Sequence, residues 1–254
     1  MELEEILSRF IKGIKPIDDV IEHGRRATTR SNWGTYLPGV GSGYESDFRD
    51  ELVDWWNDEY SDSLLRPEQK YPEKSRAGST VRCDICLFET NQSNLRNSEV
   101  YDWAIELKFV RNIGDNGGVN NFSLGKVVSP FLAERSSAHD CRDKLADSAI
   151  SRRKAVIIYG FEFDGGSVQN CKDWLEAHPE LILEHQKGRA NNLENTLHTN
   201  TDEGEWAWNS IIPIFEVTCK TMGVNLGTCI IDEFDGLTRH PMYRKVKFMA
   251  WEVL

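Results

Sequence analysis

The 254-residue chain predicts an α/β protein whose mixed central sheet is flanked by helices. Three observations carry that class. Segments 81–89 and 102–110 alternate apolar and polar side chains with period two, as half-buried strands do. The run KAVIIYGFEF at 154–163 is almost continuously apolar and strand-sized, as a buried strand is. Helical periodicity stands before, between and after these strands, and the order helix, strand, strand, helix, strand is that of an α/β core with additions.

Taken in order, residues 1–23 place Leu3, Ile6, Leu7, Phe10, Ile11 and Ile14 at helical spacing before Pro16 interrupts. A polar stretch with alternating glycines follows as a loop or arm; it carries Arg25, Arg26 and Arg30 beside Trp33 and Tyr36, a candidate DNA contact. Residues 43–60 predict a helix whose buried stripe holds Phe48, Leu52, Trp55 and Trp56. The two alternating strands come next, with 91–99 as the loop between them. A second helix is expected over 130–149, capped by Ser129 with Pro130 in its first turn. After the buried strand comes helical material broken at Pro179, a polar loop over 188–205, and strands at 211–219, 226–234 and 245–253. One domain over 1–254 accommodates all of this, with a core at 43–163, an N-terminal helix and arm at 1–42 and a strand-rich C-terminal addition at 164–254.

Composition narrows the function. Thirty basic against 41 acidic residues give −11, which opposes indiscriminate binding to phosphate backbones or anionic membranes. The acidic start lacks the basic and apolar regions of a signal peptide, and no apolar run approaches the roughly 20 residues that cross a bilayer. Six dispersed cysteines without a secretory signal suit reduced thiols and a cytoplasmic location. Cys83 and Cys86 form a CxxC, but no second pair completes four zinc ligands.

The chemistry concentrates on the two alternating strands. In 102–110, Trp103, Ile105, Leu107 and Phe109 share an apolar face, while Glu106 and Lys108 stand side by side on the other. In 81–89, Val81, Cys83, Ile85 and Leu87 form the apolar face and Asp84 lies opposite. Antiparallel pairing in suitable register brings Asp84, Glu106 and Lys108 together. Two carboxylates can hold Mg²⁺ through hard oxygen ligands, and an ammonium can orient or help deprotonate an attacking water and offset charge on a phosphorane. Burial and the carboxylates push the Lys108 pKa in opposite directions, so its sign is open at this level. Glu45 lies on the stripe of Phe48 and Leu52 and could add a further carboxylate.

Glu45 in a helix, Asp84 in RCDICL and Glu106-Leu107-Lys108 in WAIELKFV together resemble the signature of the PD-(D/E)XK nuclease superfamily. The resemblance covers about 43–163. It implies a restriction-endonuclease-like core, Asp84 and Glu106 as ligands of Mg²⁺ or Mn²⁺, Lys108 as the catalytic lysine and Glu45 as the auxiliary acid. It further implies hydrolysis of double-stranded DNA by an endonuclease of restriction or defence type, and a homodimer. Cys83 stands where the eponymous motif has proline, a departure that bears on local backbone shape.

Structural readings stand beside these. Glu106, Lys108 and Asp84 could be solvated strand faces joined by an ion pair. Ser42 and Glu45 fit a capping box, which would turn Glu45 back to the Ser42 amide. Asp140, Asp143, Lys144 and Asp147 have the spacing of a solvated helix face, from which Lys144 could approach DNA. At the level of the whole chain, a nuclease for RNA or for structured or modified DNA, or a non-catalytic binding or regulatory protein with the same fold, remain alternatives.

Overall fold

In chain order the elements are α1 (Leu3–Val20), α2 (Glu45–Glu59), β1 (Ser63–Arg76), β2 (Ser79–Glu89), β3 (Tyr101–Val110), α3 (Ser137–Asp140), β4 (Ser151–Glu162), α4 (Ser167–Ala177), α5 (Glu203–Thr221), β5 (Ile230–Asp235) and β6 (Lys245–Glu252), with α3 running directly into a π-helical turn, Cys141–Leu145. They come from a computed structural model that describes residues 1–21, 38–42, 45–76, 79–90, 100–110, 125, 127, 136–163, 166–177, 195, 203–240 and 243–254. The six strands form one mixed sheet in the order β1-β2-β3-β4-β6-β5. β3 and β4 are parallel, joined by a crossover that contains α3, and the remaining pairs are antiparallel.

The two sheet faces bury different cores. α1 and α2 cover one face, packing Phe10, Ile14, Phe48, Leu52 and Trp56 against Ile105, Leu107, Ile157 and Phe248. Gly13 permits their close crossing, because a Cβ there would fall 2.6 Å from the Trp55 ring. Phe109, Tyr159 and Phe248 are cross-strand neighbours on this face, and Tyr159 stacks on both partners with centroids 5.1 and 5.5 Å away. The other face is covered by α3, its π turn and α5, whose Ala138, Cys141, Leu145, Ile211, Phe215 and Cys219 meet Ala104, Val156, Ile158 and Trp251.

The α/β class, the mixed sheet and the flanking helices follow the sequence expectation, and several local expectations are corrected. Pro16 lies inside α1 rather than ending it; burial of Ile14 and Ile17 on the sheet side outweighs one lost helical hydrogen bond. Residues 211–219 are helix, not strand: Ile211, Phe215, Thr218 and Cys219 are buried while Ile214 and Val217 face solvent, a helical stripe that the β-branched composition masks. The C-terminal region therefore contains helices as well as strands, and β6 joins the central sheet by pairing with β4. β1 carries Pro67 and Pro72, which an edge strand tolerates because one side of its ladder is unpaired. Cys83 leaves the face of Ile85 and Leu87 and packs with Cys86 in the second core.

The expected cap at Ser129 and Pro130, the break at Pro179, the loop at 91–99 and nearly all of the loop at 188–205 lie outside the described residues. Among the described residues, no helix is long and apolar enough to cross a membrane.

Candidate active site

β3 builds the centre of the site because its two faces do different work. Ile105 and Leu107 seal the aromatic core, and the alternation of the strand then turns Glu106 and Lys108 toward α3. Glu106 is fully buried, with 0% of its side chain exposed. Both of its oxygens are engaged: the Tyr71 hydroxyl donates to Oε1 at 2.8 Å and the Lys144 ammonium to Oε2 at 2.8 Å.

Asp84 reaches the same place through an irregularity in β2. The ladder between β2 and β3 runs from Leu87↔Trp103 to Ile85↔Ile105. One residue further, the Asp84 carboxylate accepts the Leu107 amide at 2.9 Å, in the manner of a replaced ladder bond. On the opposite side of β2, Glu68 lies between the pairs Pro67↔Ile85 and Gln69↔Cys83 and has a left-handed backbone, φ 55°. Such a conformation is uncommon and costly for a residue with a side chain. The paired irregularity at Glu68 and Asp84 explains why Cys83 and Ile85 face different cores.

Glu45, the first residue of α2, faces the strand: its Oε2 accepts the Phe109 amide at 2.6 Å, and its Oε1 lies 3.7 Å from the Lys108 ammonium. Lys108 is also 3.9 Å from Asp84 and 3.2 Å from Asp140. Asp140, the last residue of α3, pairs with Lys144 at 3.0 Å across the turn that includes the π-helical segment. Short π insertions recur where a helix must aim functional side chains.

Electrostatics follow from this crowding. Burial pushes the Glu106 carboxyl above the ordinary carboxylate range, with the Asp84 charge adding to the push and Lys144 and Lys108 opposing it. Glu45 is raised for the same first reason, burial, opposed by Lys108. For Lys108, burial disfavours the charge, but Glu45, Asp140, Asp84 and Glu106 outweigh it and hold the ammonium above its usual range. The sign left open by the sequence is thereby fixed. Lys144 is raised likewise, with burial overcome by Glu106 and Asp140.

Glu45, Asp84, Glu106 and Lys108 thus converge from α2, β2 and β3. Lys144 lies in this cluster with its side chain 22% exposed, so the solvated helix face expected for Asp140 and Lys144 is not what forms. Arg25, Arg26 and Arg30 lie outside the described residues. Two residues were not singled out for the site from sequence. Tyr71 sits between prolines in a segment without alternation; Asp140 showed only its i, i+4 spacing to Lys144, which does not tell which way a helix face points.

The donor chemistry suits a hard divalent cation. Four carboxyl groups meet two ammoniums, and every donor the carboxyl groups offer is an oxygen. Among the described residues, no three acidic, cysteine or histidine side chains form a ready-made metal cage; Mg²⁺ retains several waters and needs only one or two carboxylates. No family model, curated protein or solved structure matches the chain.

Proposed function

We propose that the chain is a Mg²⁺-dependent endonuclease with a restriction-endonuclease-like core, hydrolysing phosphodiester bonds of double-stranded DNA in a restriction or defence role. The observation that carries this reading is the convergence of Glu45, Asp84 and Lys108, with Lys108 3.7 Å from the first and 3.9 Å from the second, beside the buried Glu106. Asp84 and Glu106 are the residues that would hold Mg²⁺ or Mn²⁺. When bound, the ion supplies a Lewis acid and an activated water.

The chain's own groups divide the remaining work. Lys108, held as a cation, offsets the negative charge that builds on the phosphate; its raised proton affinity makes it a poor general base. Glu45 positions Lys108 directly and fixes the end of β3 through the Phe109 amide. Tyr71 orients Glu106 from the edge strand. A homodimer belongs to the same proposal, since two sites arranged about a two-fold axis would address both strands of a palindrome.

A cleavage assay on several duplex DNAs with Mg²⁺ tests the reading. Wild type is expected to cut, and Asp84→Ala and Lys108→Ala each to lose at least about a hundredfold in rate. Equal activity in all three would remove the assignment.

A further inference from the structure

Lys144 makes two contacts of nearly equal length, 2.8 Å to Glu106 and 3.0 Å to Asp140. They differ in what surrounds them. Glu106 is wholly enclosed and is one of the two proposed ion ligands, whereas Asp140 is 11% exposed and belongs to the neighbouring helix. A charge enclosed by protein is tolerated only beside a partner, and Lys144 is the cation the fold places against Glu106 at 2.8 Å. An incoming divalent ion makes that internal cation superfluous and repels it, while Asp140 offers Lys144 a second anchor 3.0 Å away.

We infer that Lys144 is a built-in counter-ion that occupies Glu106 until a divalent cation binds and then transfers its ammonium to Asp140 alone. The inference rests on the metal-site reading proposed above. Lys144 is a positioning residue here: it acts through Glu106 and tunes ion affinity, and Asp140 is the anchor that makes its release possible.

Mn²⁺ titration by calorimetry, without DNA, tests this on the full chain as wild type, Lys144→Gln, Asp140→Asn, the double variant and Asp84→Asn. Lys144→Gln keeps a hydrogen-bond donor for Glu106 without the charge, and it should bind Mn²⁺ at least about tenfold more tightly than wild type. Asp140→Asn should weaken Mn²⁺ binding, and that effect should largely vanish in the Lys144→Gln background, as a double-mutant cycle requires if Asp140 acts through Lys144. Should Lys144→Gln fail to fold, Lys144→Met supplies a second neutral side chain of similar length. Wild-type binding that depends on Asp84 but is unchanged or weakened in whichever neutral variant folds would overturn the counter-ion role alone. Wild type and both neutral variants all failing to bind Mn²⁺, or binding it independently of Asp84, would overturn the metal site itself and the counter-ion role with it.

Discussion

Tyr71 carries a cost that its neighbours do not share. Its hydroxyl is the partner of a carboxylate oxygen with no access to water, and burial together with the nearby Cys83 and Glu106 holds its own proton firmly in place. Tyr71→Phe removes that donor with little change of shape, so it should cost about 1 to 3 kcal/mol of stability, measured by urea denaturation. Conversely, Glu106 and Lys108 were legible because alternation assigns a face to every residue of a regular strand, and Asp84 was singled out by the same rule although β2 breaks it there. Tyr71 was not, because Pro67 and Pro72 break the pattern from which a strand is read. The local geometry at Asp84 was equally hidden: nothing in RCDICL announces that Glu68, on another strand, adopts φ 55° opposite it.

At the scale of elements, α5 shows how composition misleads where period does not. The stretch IIPIFEVTC has the β-branched content of a strand, yet its buried positions are 211, 215, 218 and 219. Phe215→Ala should therefore cost about 3 to 5 kcal/mol, while Ile214→Ala, one residue away, should shift stability by no more than about 0.5 kcal/mol in thermal or chemical unfolding. A strand assignment also separates adjacent residues, but it would pair Phe215 with Ile211 and Val217 on one face, whereas Val217 is 64% exposed. The helix α1 is tied to the residue before β1 by a two-pronged contact, Arg9 to both oxygens of Asp62 at 2.7 Å. The Arg9 hydrogen bonds hold the Asp62 carboxyl down to about 2, below its ordinary 3.8. Because the folded value is the depressed one, the stabilisation is complete above about 4 and lost as pH falls through about 2. The stability advantage of wild type over Asp62→Asn, followed by urea midpoints, should shrink across that window. That contact was not legible, since it joins residues 53 positions apart whose types are common on any surface.

For the whole molecule, the charge of −11 and the acidic site bear on DNA in the same direction. A protein that repels bulk duplex should engage it where a divalent ion and specific contacts coincide, so metal-free affinity for random DNA should be weak at physiological salt and steeply salt-dependent in fluorescence anisotropy. Tight metal-free binding would contradict the proposed nuclease. The sheet itself ends on two guarded margins. β1 lacks an amide donor at Pro67 and Pro72, and β5 presents Asp232, Glu233 and Asp235 in six residues. Proline and like charges are what keep a strand from recruiting another chain. Fibril-like stacking through either margin is thus discouraged, and two copies of this protein that associate should meet through helices or loops, leaving the backbone ladder of each sheet private to its own molecule.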